Sequence, residues 1–362
     1  MTKKTITLSF DNDISFNEAG KHVRDGLSAA IRIGDYLWLC CDERVSLERL
    51  KCSGPQAFSG HESFDLTAFL HLPGGKDSEI DVEGLAYEDH YLWLVGSHSL
   101  ARKKPRKDDS PEKQMKRLAK LKQDPNRYLL ARIPLIPDPD TGEYRLYKSC
   151  LHPQDPTRTL TAAQLVGNDK GNALMDAMAE DPHFKDFLRI PGKDNGFDIE
   201  GLAVAGDRIF LGIRGPVLRG WAAILEITVK EQEPGYFTLK KHAGKQLYTK
   251  HFLHLEGMGI RDLLVVQEDL LILAGPTMDL DGTIAVYRWP AAIQQQSAAV
   301  VHRKDLKRLF DVPHGSGPTT GQDKAEGMAL FDDHQVLIVF DSPTEARKPD
   351  GHRIQADLYP ID

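Results

Sequence analysis

Short apolar runs alternate with pairs of polar, turn-forming residues along this chain, and the pattern occurs five times. The fullest copies span residues 69–97 and 187–215, and shorter ones span 26–41, 260–275 and 326–341. Within a copy, a first apolar run (85–87, 202–204, 263–266, 328–331) meets a turn such as Glu88-Asp89 or Asp332-Asp333, and a second run follows (91–95, 208–212, 270–274, 336–340). Apolar runs of this length bounded by turn residues predict buried strands, and two of them across a polar pair predict a hairpin. Third strands are predicted at 128–134, 222–228, 283–289 and 354–360.

Such a repeat in strand-forming sequence implies that one supersecondary unit stacks on its copies. The expected fold is all-β: a single β-propeller domain over residues 1–362 with five countable four-stranded blades. Glycine-equivalent stations fall at 26, 84, 201, 262 and 327, and the second interval is nearly double the others. One blade therefore carries a large insertion, or a degenerate sixth blade lies between 150 and 190. Residues 5–10 (TITLSF) alternate as a strand should but belong to no repeat. They are predicted to pair within 354–360 and close the ring, which removes an exposed sheet edge.

Two segments break the pattern. Residues 102–127 form a basic, charge-dense insertion with Met115, Leu118 and Leu121 at near-helical spacing, read as a solvated excursion with a short helix, or alternatively as a binding arm. Residues 160–181 are predicted helical: Thr161 and Gln164 fit a capping box, Leu174, Met175 and Met178 form a face, and Asp181-Pro182 ends it.

Composition narrows the function classes. A net charge of −7 gives no basic surface for a nucleic-acid duplex, and no apolar stretch approaches a bilayer span, so neither nucleic acid nor membrane is an expected partner. The N-terminus lacks the apolar core of a secretion signal. Four cysteines at 40, 41, 52 and 150 make neither a metal pattern nor a disulfide framework, and Cys40 and Cys41 point to opposite faces of a strand. A reducing, cytoplasmic location is expected.

Blade geometry would bring the starts of the inner strands and the loops between second and third strands to one mouth of a central channel. The inner-strand starts carry Asp81 and Glu83, Asp198 and Glu200, Arg261 and Asp262, and Lys324 and Glu326. The loops carry Gly96-Ser97-His98-Ser99, Arg214 with Arg219, residues 276–282, and Asp341 with Arg347. Converging carboxylates repel unless a cation or an arginine sits among them. Glu83, Glu200 and Glu326 are the candidate ligands for a divalent cation, calcium or magnesium; no organic cofactor is indicated. At the fourth repeat the chain exchanges acid for base: Arg261, with Arg214 and Arg219, is positioned to hold a phosphate or carboxylate. The alternative is that Arg261 neutralises Glu200 and Glu326 in an ion-pair ring. His98 is the candidate proton carrier, with Arg214 and Arg261 stabilising developing charge. The glycine-rich stretch 315–321 reads as a connection between blades, and residues 279–282 as a turn rather than a calcium loop.

Several motifs resemble those of the bacterial domain-of-unknown-function 3616 family: D-[IV]-E-G-L-A at 81–86 and 198–203, G-S-H-S at 96–99, I-R-G-P at 213–216 with R-G-W at 219–221, and G-I-R-D-L at 259–263. The resemblance extends from about Gly26 to Pro343 and implies a propeller-like fold without an assigned activity. A looser similarity links the Asp-x-Glu-Gly step to phytase-like and gluconolactonase-like propellers, which implies channel-mouth carboxylates holding a divalent ion. Only Glu83, Glu200 and Glu326 carry over; the asparagines that lactonases add have no counterpart at these stations. The expected function is metal-dependent hydrolysis of an anionic, phosphorylated or ester-bearing small molecule. The alternative is a non-catalytic propeller binding a protein or an anionic metabolite.

Overall fold

The computed structural model describes residues 4–75, 78–241, 246–278 and 280–362. The apolar hairpins form where the pattern puts them. Val82–Glu88 pairs with Tyr91–Gly96, Asp198–Ala205 with Arg208–Leu218, Gly259–Val266 with Asp269–Gly275, and Lys324–Asp332 with Gln335–Asp341, all antiparallel. Third strands follow at Leu130–Pro137, Trp221–Ile227, Ile284–Trp289 and Arg353–Pro360. The first repeat adds Leu27–Ile33, Tyr36–Cys41, Ser46–Gly54 and Ala57–Asp65 as four strands in sequence order.

The first strands of successive sheets pack on one another, and the fifth packs back on the first. The inner strands thus form a closed cycle. Hydrophobic clusters fill the gaps between neighbouring sheets: Trp38 and Leu94 meet between the first and second, Val95 and Ile199 between the second and third, Phe210 and Ile272 between the third and fourth, and Leu271 and Ile338 between the fourth and fifth. Leu39 and Val339 share the remaining interface. Adjacent residues such as Leu94 and Val95 feed opposite interfaces because strand side chains alternate. This is why second strands read as unbroken apolar runs.

The N-terminal strand Lys4–Ser9 lies antiparallel to the last strand, with Lys4 opposite Leu358 and Ser9 opposite Arg353, and it touches Ala57 and Phe58 of the first sheet in parallel register. Ile6 and Leu8 are fully buried in that seam. Outer strands are tied by repeated pairs: Glu48 to His61 at 2.8 Å in the first sheet, and Glu226 to His251 at 2.9 Å in the third. In both, a third-strand glutamate meets a fourth-strand histidine, so the pair is architectural.

The 160–181 helix requires correction. Thr161 ends the strand Asp155–Thr161, Gln164 lies in the strand Ala163–Leu165, and the helix is confined to Ala173–Met178 with Asn172 as its cap. The apolar face at Leu174 and Met178 is buried as expected. The capping-box match failed because strand pairing of Ala131 with Gln164 claims that backbone first. Among the described residues, 150–190 holds hairpins, this helix and the fourth strand of the second sheet, and no further four-stranded sheet. No helix of the described residues is long and apolar enough to cross a membrane. All four cysteines are free; Cys40 and Cys41 face different clusters.

Candidate functional site

The inner strands share a local irregularity that shapes the site. Pairing with the second strand skips Ser28, Glu83, Glu200, Arg261 and Glu326, one bulge at the same station of every sheet. A bulge kinks the strand and re-aims its extra side chain. The glycine that follows the acid has its own reason: a Cβ on Gly84 would stand 2.7 Å from Leu202 Cβ in the neighbouring inner strand. Ser28 spends its hydroxyl on the Val82 carbonyl at 2.6 Å. Asp262 accepts from the Met328 and Leu263 backbone amides at 2.6 and 2.7 Å, so it joins two inner strands.

The remaining stations divide into two halves. In one, Arg214 pairs with Glu200 and lies 3.5 Å from Asp198, while Arg261 reaches Glu326 at 2.6 Å and Glu200 at 3.7 Å. All five side chains are buried or nearly so. Burial pushes the Glu200 carboxyl up, with the arginines pulling against it; at Glu326 burial also acts upward, but Arg261, Arg214 and Lys193 outweigh it and hold the acid low. Asp198 is pushed up to about 7 by burial and by Glu200. Arg261 is therefore the neutralising centre of an ion-pair ring.

The other half is neutralised only in part, with one arginine for three carboxylates. Asp42, Asp81 and Glu83 bring ligand oxygens within 4.8 Å of one another. Arg127 meets Asp81 at 3.1 Å. Asp42 Oδ1 is shut off from solvent with no hydrogen-bond partner, and Glu83, only 7% exposed, has no hydrogen bond or ion pair among the described residues. Burial, then neighbouring carboxylates, pushes Asp42 and Glu83 far above the usual carboxylate range. These acids line a cavity of about 300 Å³ that also reaches Asp198, Glu200, Glu326, Arg127 and Arg214.

The three predicted cation ligands are thus separated: Glu83 joins the free carboxylates, while Glu200 and Glu326 are held by arginines. Arg214 lines the cavity, and Arg261 sits behind it. Arg219 is not brought to the site; it occupies the exposed turn of the Arg208–Leu218 hairpin at φ 52°. His98 also requires correction. Its left-handed backbone (φ 55°) turns the ring inward, where Nδ1 meets the Gly96 carbonyl at 2.7 Å and Nε2 meets Asn172 at 2.8 Å. Burial lowers it to about 4, so it is a neutral structural ring rather than a proton carrier.

The basic insertion is more than a solvated excursion. It forms a short ladder, Ala101–Arg102 against Leu121–Lys122, and a helix, Pro111–Leu118, and with Leu100 just before it, its Arg102, Lys104, Pro105 and Leu118 help to line the cavity. Met115 and Leu121 remain exposed. The 315–321 stretch is a short helical connection between the fourth and fifth sheets, and Asp279 of the 279–282 turn lies outside the described residues.

Three members of the site escaped the sequence reading, Arg127 at the end of the basic insertion among them. Asp42 directly follows Cys41, one position beyond the truncated first repeat, and matches Asp341 at the end of the last second strand. Lys193 lies in the turn Gly192–Asp194. Asp42 had a legible signal in that alignment; Lys193 had one in the P-G-K-D step at 191–194, which recurs as P-G-G-K-D at 73–77.

These features define an all-β chain whose ring of sheets encloses a carboxylate-lined cavity. The chain belongs to the family described as "Protein of unknown function (DUF3616)", which matches residues 26–357. No curated protein matches the sequence. Among solved structures it is similar to glutaminyl cyclase of Myxococcus xanthus (TM-score 0.41, 10% identity, 99% of this chain and 98% of that one). It is also similar to the PQQ-bound aldose sugar dehydrogenase of Streptomyces coelicolor (TM-score 0.35, 11% identity, 98% and 99%) and to a streptogramin B lyase (TM-score 0.33, 7% identity, 99% and 98%). At these scores the similarity assigns no chemistry to this chain.

Proposed function

We propose that the protein is a five-bladed β-propeller enzyme that binds a divalent cation at Asp42, Asp81 and Glu83 and hydrolyses an anionic, phosphorylated or ester-bearing small molecule. The observation that carries this reading is the trio itself: three carboxylates within 4.8 Å, with one oxygen of Asp42 buried and unpartnered. Such a cluster is costly unless a cation offsets it, and an all-oxygen donor set suits calcium or magnesium. The closed cycle of inner strands supports five blades.

A bound cation would polarise the scissile oxygen and acidify a coordinated water. The chain's own residues supply the surroundings. Arg127 holds Asp81 in place, Arg214, oriented by its pair with Glu200, offers positive charge at the cavity wall toward a developing anion, and Arg261 neutralises Glu326. The insertion narrows the cavity, which brings each of these groups closer to a bound molecule. It also favours a small molecule over a protein partner, since the carboxylates lie beneath it. Unpaired cysteines support a cytoplasmic setting.

The test is a panel of phosphomonoester, carboxylic ester and lactone substrates assayed with and without calcium, magnesium and manganese. Turnover that needs the cation and is lost in Glu83→Gln is expected. Cation-independent turnover, or turnover surviving Glu83→Gln, contradicts the reading.

A further inference from the structure

A second chamber of about 460 Å³ adjoins the first, and the two share Asp42, Lys104 and Lys193 in their walls. The other cations around the second chamber are engaged: Lys21 pairs with Glu43, Lys348 with Asp25 at 2.9 Å, and Arg44 approaches Glu48 at 3.7 Å. Lys104 also has a partner. Lys193 has no hydrogen bond or ion pair among the described residues.

Its position is nevertheless fixed. The turn Gly192–Asp194 is closed by the left-handed Asn195 and by the Asp194 amide donating to the Pro191 carbonyl at 2.9 Å. The Gly192 amide donates to the Leu100 carbonyl at 3.0 Å, and Arg102 holds Asp194 at 2.6 Å, so the insertion clamps the turn from above. Gly192 is required there, because a Cβ would stand 2.6 Å from an Asp198 oxygen. The Lys193 side chain is open to solvent at the rim the two chambers share; the surrounding protein acts to lower its ammonium, but Glu326, Asp42 and Asp81 outweigh this and raise it above the usual lysine value. It is a permanent cation, unsuited to act as a base.

Resting on the cation reading above, we propose that Lys193 is the substrate's anion anchor: it binds a phosphate or carboxylate oxygen of a molecule that spans both chambers, with its reacting end at Asp42, Asp81 and Glu83. The shared wall is where this cation stands beside the carboxylates while also facing the second chamber. It attracts the substrate's negative charge to the place where the bound cation acts, while the paired arginines opposite keep the ring intact. The substrate class that follows is an elongated small molecule with an oxyanion next to its scissile bond.

The probe is inorganic phosphate titrated calorimetrically into magnesium-saturated protein. Lys193→Met keeps volume and removes charge; it is expected to weaken phosphate binding roughly tenfold or more, as loss of a charge-assisted bond does. Lys193→Arg is expected to retain most of the affinity. The same Lys193→Met protein should bind magnesium alone at least as tightly as the natural one, because a neighbouring positive charge is gone. Equal phosphate affinity in wild type and Lys193→Met overturns the anchor. If magnesium fails to bind, the cation reading falls separately, and phosphate titrated into the metal-free proteins decides the lysine. A tenfold gap there upholds it, and no gap overturns it.

Discussion

Replacing Asp42 by asparagine removes one charge from the free carboxylate trio with almost no change in shape. Its oxygens share the 4.8 Å limit with those of Asp81 and Glu83. Two ionised carboxylates at that spacing repel by roughly 3 to 4 kcal/mol at an effective dielectric of about 20, and Asp42 takes part in two such pairs. The repulsion actually borne is smaller. Asp42 and Glu83 take up protons more readily as burial and their neighbours raise them, Arg127 offsets Asp81, and Lys193 lies nearby. Asp42→Asn is therefore expected to stabilise the cation-free protein by about 1 to 3 kcal/mol. The assay is urea unfolding in chelator, where the midpoint should rise with the slope unchanged. With a saturating divalent cation the order should reverse, since wild type gains about 2.7 kcal/mol at a hundredfold excess over Kd and the variant gains little. A loss of stability on Asp42→Asn in chelator would refute the reasoning, because it would make the carboxylate a structural acceptor.

Three further outcomes follow from the fold. Ile6→Ala should cost about 2 to 5 kcal/mol in urea unfolding, because the side chain is fully buried in the seam that closes the ring; a cost near zero would separate the N-terminal strand from closure. Replacing residues 103–120 by a short Gly-Ser linker should change stability little but weaken phosphate binding in the titration described above, since it removes Lys103, Lys104, Pro105 and Leu118 from the cavity while leaving Lys193 in place; unchanged binding would return the insertion to the role of a solvated loop. His98, held at about 4 by burial, stays neutral in the folded chain while it charges near 6.5 in the unfolded one. Its share of stability should fall by about 3 kcal/mol as pH drops from 6.5 to 4, and His98→Gln should lose that slope. Asp198 and Asp341, raised to about 7 and about 6, push the opposite way over the same window, so the comparison of variant with wild type isolates the histidine.

The hairpins, the third strands and the closing strand were legible because each rests on local periodicity: apolar runs broken by Glu88-Asp89 or Asp332-Asp333 admit little else, and residues 5–10 had no other partner. The site was legible only as a list of residues. Glu83, Glu200 and Glu326 occupy one station in three repeats, and sequence treats them alike. Glu200 meets Arg214 across its own hairpin and Glu326 meets Arg261 from a strand 65 residues away, and those pairings are what separate Glu83 from the other two. The bulge that re-aims the station is a one-residue change in register and leaves no mark in composition. His98 was misread because a single left-handed residue reverses its direction. Lys193 sits in the polar spacer of the copy at 187–215, where a lysine beside glycine reads as a solvated turn residue.

The most direct measurement is calorimetric titration of calcium, magnesium and manganese into chelator-stripped wild type and into Glu83→Gln. The account predicts one bound cation per chain in wild type, accompanied by proton release from the raised carboxylates near neutral pH, and no binding in Glu83→Gln. Absence of binding by all three ions in wild type, or undiminished binding in Glu83→Gln, would contradict it.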